Sequence, residues 1–234
     1  LLDELRAVRQ AAADFVSIVS HEVRSPVTAL VGLTQLLDTS WDRLTHDQRT
    51  EARAALSRQT LRLSKLIADL LDVSRIESGA IVFSPEAVDV LAAVTAALDA
   101  LDAPGVEPTV QVAVEPGLRV LADRTYLRVV LSNLLANALT HGGSLIALTA
   151  SRERRAAGGG DDDGVDVTVE DDGPGVAAEV VPRLFDRFSR GRTSTGSGLG
   201  LAIAHGLVEG FGGRLWYEPR DPAGATFHLW LPAA

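Results

Sequence analysis

The apolar residues Val16, Val19, Val23, Val27, Leu30, Leu33 and Leu37 recur at spacings of three and four. A stripe of that period commits the start of the chain to a helix packed along one face. His21 lies two residues from both Val19 and Val23, so it points roughly away from the stripe, toward solvent. Glu22 adjoins it, and Pro26 falls inside the pattern, where it removes a backbone donor and is expected to bend the helix. An exposed histidine beside a carboxylate suits a nucleophile reached from outside. Taken alone, such a pair is more often a solvent-facing histidine with no task.

The pattern predicts one helix from Leu2 to about Asp38, a loop over Asp38 to Asp42, and a second helix capped by Thr45 or Asp47. That second helix runs to about Glu77, with Leu56, Leu63, Leu66, Leu70 and Val73 at heptad-like steps, and Gly79 stands at its C-terminal cap. Two helices joined by a short loop make a hairpin whose core is thin. Pairing with a second copy into a dimeric four-helix bundle is the natural remedy. The expected division is therefore 1–80 for an all-α dimerisation domain and 81–234 for a second domain.

Beyond Gly79 the reading gives a short strand at Ile81 to Phe83 and a helix opened by Pro85 that reaches about Leu101. Thr109 to Val114 alternates as a strand, with Leu118 to Leu121 as its partner across a turn. Asp123 caps a helix through Leu139, and strands follow at Leu145 to Ala150 and Val165 to Glu170. The polar, glycine-rich stretch Arg152 to Gly164 between them reads as a flexible hairpin tip. A short helix at Ala178 to Phe188, a helix from Gly198 to about Glu209, and strands at Arg214 to Tyr217 and Ala225 to Leu231 complete the chain. Helices with a largely antiparallel sheet predict a two-layer α/β sandwich.

Bulk numbers exclude several classes. A net charge of -9 over 234 residues argues against a general nucleic-acid binder. The chain has no cysteine, which removes disulfides and cysteine-ligated metal. No apolar run approaches the roughly 18 residues of a membrane span, and no signal peptide is visible. The chain starts at Leu1 and contains no methionine, so it reads as an excised piece, and any membrane attachment is expected only through segments absent from it.

Three further stretches carry chemistry. Asn133 and Asn137 stand at i and i+4 on one helical face, although asparagine is a poor interior helix residue. An amide oxygen there suits Mg²⁺ that keeps waters and binds substrate phosphates, and a merely solvent-facing pair is an equally good reading of the two alone. Asp171-Asp172-Gly173-Pro174-Gly175 directly follows a strand. It is either a plain turn or a close backbone approach to a ligand, with Asp171 as an acceptor for the exocyclic amine of adenine. Thr195 to Leu201, with alternate glycines Gly196, Gly198 and Gly200, runs into a helix whose N-terminus favours phosphate oxygens. Its spacing is neither the dinucleotide fingerprint nor the P-loop.

Taken together, these segments resemble the catalytic core of two-component sensor histidine kinases over nearly the full chain. Phe15 to Leu30 resembles the phosphoacceptor H box, with the order His-Glu-x-Arg-x-Pro in His21, Glu22, Arg24 and Pro26. Asn133 to Asn137 resembles the N box, Asp171 to Gly175 the G1 box, Gly196 to Leu201 the G2 box, and Phe185 to Arg190 the F box before the ATP lid. The resemblance implies a dimeric helical hairpin plus an ATP-binding domain of the Hsp90/gyrase-like type.

It further implies autophosphorylation of His21 from Mg-ATP, then transfer to an aspartate of a response regulator receiver domain. Glu22 would orient the imidazole and accept its proton. Arg190 would stabilise charge on the γ-phosphate. Asn137 would coordinate Mg²⁺ with Asn133 nearby, and Asp171 would bind the adenine amine. Gly173, Gly175, Gly196, Gly198, Leu199 and Gly200 would line the nucleotide. The implied setting is cytoplasmic, as the inner part of a membrane-anchored sensor.

Departures from the family pattern have consequences. Thr140 and His141 replace a basic residue and an aromatic one, which leaves adenine stacking to His141. Only five residues, Gly191 to Thr195, separate Arg190 from Gly196, a short lid that implies weak nucleotide affinity. An ATPase of the Hsp90/gyrase class shares the nucleotide boxes but not the H-box hairpin. A non-catalytic dimeric scaffold would keep the fold without binding ATP.

Overall fold

The computed structural model describes residues 2–100, 109–157, 160–189 and 197–234. The chain divides into two compact units, Leu1–Leu71 and Asp72–Ala234.

The first unit is a helical hairpin. Helix α1 spans Leu2–Ser40 and runs unbroken through Pro26. A single 3-10 turn, Trp41–Arg43, leads to α2, His46–Glu77. Thr45 is the cap: its Oγ1 accepts from Gln48 N at 3.3 Å, while Thr45 N donates to Gln48 Oε1 at 2.9 Å. This reciprocal pair satisfies two of the amides a helix start leaves open. The turn is pinned by Arg49, which donates to the Trp41 carbonyl and lies 4.6 Å above the Trp41 ring. The stripe is shallow. Val19, Val23, Leu30, Leu33 and Leu37 are half-buried, and Val16 and Val27 are exposed.

The second unit takes in the last turns of α2 and the rest of the chain. Its main sheet has the order β2-β4-β5-β7-β6. These strands are β2 Thr109–Val114, β4 Leu145–Ala157, β5 Gly160–Asp171, β6 Arg214–Pro219 and β7 Ala225–Pro232. Among the described residues the β2–β4 pairing is parallel and the other pairings in this sheet are antiparallel. Helices α3 (Val90–Asp99), α4 (Arg124–His141) and α5 (Gly200–Gly210) pack side by side. Alternation selects the buried sheet face: Ile146, Leu148 and Ala150, then Val165, Val167 and Val169, then Phe227, Leu229 and Leu231. Against them lie Val130, Leu134, Ile203 and Leu207, so this half is the α/β two-layer sandwich.

Several elements differ from the sequence expectation. Ile81 to Phe83 is not a strand; β1 is Glu86–Asp89, and α3 starts at Val90, not at Pro85. The cause is Asp89, whose side chain accepts from Ala92 N and sets the helix start five residues on from the expected cap region. Strand β3, Arg119–Ala122, pairs antiparallel with β1 rather than with β2. The expected helix at Ala178 to Phe188 is a 3-10 turn, Val181–Arg183, with Pro182 inside it, followed by bends. Arg152 to Gly164 is not a loose tip, because the β4–β5 ladder continues to Ala157 paired with Gly160. Opposite charges support it: Arg152 and Asp163 form an ion pair at 3.0 Å.

Candidate active site

His21 stands on α1 with its side chain 79% exposed, and its Nδ1 lies 3.6 Å from Glu22 Oε1. The carboxylate itself is largely covered. Pro26, five residues on, is buried, so the helix turn below His21 is anchored while the imidazole stays in water. Both residues belong to the first unit.

The carboxylates of the second unit cluster where β5 ends, and two adjacent acids take opposite roles. Asp171 points inward on the core-facing alternation and is 3% exposed. Its Oδ1 accepts from Gly173 N at 2.9 Å. Burial pushes its carboxyl above the usual carboxylate range, against the lowering pull of the Gly173 and Ala225 amides; Asp172 adds to the rise and Arg220 opposes it. Asp172 points out and ties down the start of β4, accepting from Leu145 N at 2.9 Å and from Ser144 Oγ at 3.2 Å. Those hydrogen bonds hold its carboxyl below the usual range, the Leu145 amide most of all.

Glycines let backbone close on Asp171. A Cβ on Gly173 would lie 2.4 Å from the His141 carbonyl, and one on Gly142 would lie 2.8 Å from Asp171 Cβ. Gly175 has φ +74° and sits against the Gly224 carbonyl. His141 is the last residue of α4 and half-buried, and it meets this cluster through its carbonyl. On the same helix Asn133 is buried and Asn137 half-buried. A Cβ on Gly200 would come within 3.0 Å of Asn133 Oδ1, so the amide and the start of α5 meet directly.

Before α5, Leu199 is fully buried and its N–H donates to Ser197 Oγ at 3.3 Å. Gly198 adopts φ +70°, and its carbonyl accepts from Phe188 N at 2.8 Å. Phe188 itself has φ +58°, an uncommon conformation for a side chain of that size. Arg190 and Gly196 lie outside the described residues.

The second unit thus brings together Asp171, Gly173, Gly175 and His141, and joins Asn133 to Gly200. Sequence reasoning missed Gly142, Gly224, Asp172 and Arg220 as parts of this surround. Gly142 could have been found as a glycine just past the end of the N-box helix. Arg220 left no signal in spacing or composition.

Among the described residues no helix is long and apolar enough to cross a membrane. Residues 11–79 match the His Kinase A (phospho-acceptor) domain. Residues 122–234 match the histidine kinase-, DNA gyrase B-, and HSP90-like ATPase family. The signal transduction histidine-protein kinase AfsQ2 of Streptomyces coelicolor is 34% identical over 95% of this chain and 42% of its own length. The sensor-like histidine kinase SenX3 of Mycobacterium tuberculosis is 36% identical over 95% of this chain and 54% of its own. The chain therefore spans about half the length of these curated relatives. Full-length ShkA, solved in complex with AMPPNP, aligns with a TM-score of 0.65 at 31% identity, covering 94% of this chain and 46% of the ShkA chain. The Acinetobacter baumannii histidine kinase AdeS aligns with a TM-score of 0.70 at 24% identity, covering 91% and 97%, and supports the fold alone. With a phospho-acceptor hairpin followed by an ATPase-type domain, the chain belongs to the two-component sensor histidine kinase family, of which it is a catalytic core.

Proposed function

We propose that this core is an ATP-dependent protein-histidine kinase that phosphorylates itself on His21 and passes the phosphoryl group to an aspartate of a response regulator receiver domain. The observation that carries the reading is His21 itself, exposed in water with Glu22 at its Nδ1. Glu22 accepts a hydrogen bond from Nδ1–H, which fixes the tautomer with the Nε2 lone pair free to attack the γ-phosphorus of ATP, and it takes the Nδ1 proton as that attack proceeds. The new P–N bond forms as the bond to the β,γ-bridging oxygen breaks, and ADP leaves. The receiver aspartate then attacks the same phosphorus, breaking the P–N bond while Glu22 returns the Nδ1 proton, which restores His21.

The second unit supplies binding. Asp171 accepts from the adenine amine, and Gly173, Gly175, Gly198, Leu199 and Gly200 offer backbone to the nucleotide, with His141 at the adenine edge. The buried Asp171 carboxylate and the close-packed glycines around it fit a nucleotide held largely by backbone. Asn137, supported by Asn133, presents a hard amide oxygen and would hold Mg²⁺. The ion, when bound, neutralises charge on the phosphates. Arg190 and Gly196 complete the assignment from the sequence motifs.

The hairpin is the dimer interface of this reading. Val27 and Val31 on α1, and Ile67 and Leu71 on α2, are exposed apolar pairs one turn apart. A second copy would cover them in a four-helix bundle. Cytoplasm, where ATP and receiver domains are found, is the compartment it implies. The test is His21→Gln, which should abolish labelling from ATP and leave ATP binding intact. Steady ATP turnover without labelling of the parent protein would instead favour a Hsp90/gyrase-type ATPase.

A further inference from the structure

Asp171 is gripped mainly by backbone. Gly173 and Ala225 donate amide hydrogens to its carboxylate, and a Cβ on Gly224 would fall 2.0 Å from its carbonyl oxygen. Among the described residues, a charged side chain reaches it from outside its own strand. Arg220, on the connection between β6 and β7, donates from Nη1 to the Asp171 carbonyl at 3.4 Å. Its Nε pairs with Glu170 Oε2 at 3.3 Å, and its own amide donates to the Gly224 carbonyl at 3.3 Å. The guanidinium is thus fixed at both ends, behind the proposed adenine acceptor.

We propose that Arg220 is a positioning residue for nucleotide binding, acting through Asp171 without touching the nucleotide. The inference rests on the reading of Asp171 as the adenine acceptor. A carboxylate so deeply buried pays for its charge in lost hydration, and a proton on it would displace one of the amide donors that orient it. The nearby positive charge favours the ionised acceptor, whose hydrogen bond to the adenine amine is charge-assisted. Among the described residues, the other charged groups beside Asp171 are Glu170 on its own strand and Asp172 just past the end of that strand. Its neighbours across the sheet, Ile146 on β4 and Ala225 on β7, are uncharged. At the end of α4 the titratable residue is His141, whose carbonyl meets Gly173.

The test is calorimetric titration of the full chain with ATP and Mg²⁺, from mildly acidic to mildly alkaline pH. Arg220→Met should bind ATP several-fold more weakly at the acidic end and converge on the parent protein as Asp171 ionises. Arg220→Lys, which keeps the charge, should stay close to the parent throughout. If Arg220→Met fails to fold, Arg220→Gln takes its place in the same comparison. A loss equal at every pH, the mark of a plain structural brace, would overturn the proposal, and so would no loss at all. Asp171→Asn separates the two claims. If it binds ATP normally, the adenine reading itself fails. If it abolishes binding while the Arg220 variants match the parent at every pH, only the role of Arg220 is lost.

Discussion

The hairpin and the ATPase-type unit handle the same resource, burial, in opposite ways. Among the described residues of 1–71 the buried apolar side chains are few, Pro26, Ala52 and Leu66, while Ile67, Leu71, Val27 and Val31 remain wet. Among the described residues of 72–234 the central strands and helices bury large apolar side chains fully, Phe227, Leu131 and Leu148 among them. The proposed functional residues follow suit. His21 is 79% exposed, as the proposed nucleophile, meeting two different partners, must be. Asp171 is 3% exposed, as the proposed acceptor that discriminates one base must be. One unit works by what it leaves open, the other by what it closes.

The largest expected effect breaks the closed half. Asp171→Asn should abolish ATP binding in calorimetry while the chain stays folded and dimeric, because an amide cannot serve adenine and its own amide donors equally well. The same change should raise the melting temperature of the nucleotide-free protein at neutral pH. The folded-state carboxyl titrates above its ordinary value of 3.8, so its favourable share of stability is present below that value and lost as pH rises through the folded one. Asp172→Asn should do the reverse and lower the melting temperature. Its carboxyl titrates below 3.8, so its share is present above that value and lost as pH falls through the folded one.

The next effect tests the open half. Ile67→Asp places a charge on the exposed stripe of α2 and should shift the protein toward monomer in sedimentation. Each copy of the side chain covered in a dimer contributes about 1.5–3 kcal/mol. Unchanged dimerisation would mean that the wet stripe has some other cover.

Much of this contrast was legible in the residues. The helical period gave the hairpin, and the position of His21 two residues from both Val19 and Val23 turned it away from the stripe, exposed as found. Core strands β4, β5 and β7 emerged from alternation because each has one face buried. What could not be read were pairings decided at long range. Strand β3 has the same alternation whether it pairs with β2 or β1, and only the packed chain selects β1. The β4–β5 ladder hid inside a polar, glycine-rich stretch, since its opposed charges become complementary only once the register is known. Arg220 escaped for the same reason, lying 49 residues along the chain from the carbonyl it holds.

The smallest effect sharpens the comparison with one kind of substitution in both halves. Gly32 lies within α1, where an added methyl would meet nothing within 4 Å, whereas Gly224 has φ +128° and abuts the Asp171 carbonyl. Gly32→Ala should stabilise the hairpin by about 0.5–1 kcal/mol through helix propensity. Gly224→Ala should cost about 1–3 kcal/mol through overpacking and backbone strain. Denaturant midpoints that move the same way would break the contrast.

The most direct test of the central claim is the chemistry of the label. After incubation with Mg²⁺ and labelled ATP, the phosphate should map to His21 and to no other residue in quantity. His46 adjoins the hairpin turn, His141 ends α4 at the proposed adenine edge, and His205 and His228 are engaged with Phe185 and Asp166. A phosphoramidate is lost quickly in acid, once its nitrogen is protonated, and survives alkali. Label that is acid-labile, alkali-stable and absent from His21→Gln is the predicted result; label that withstands acid, or persists in His21→Gln, would contradict it.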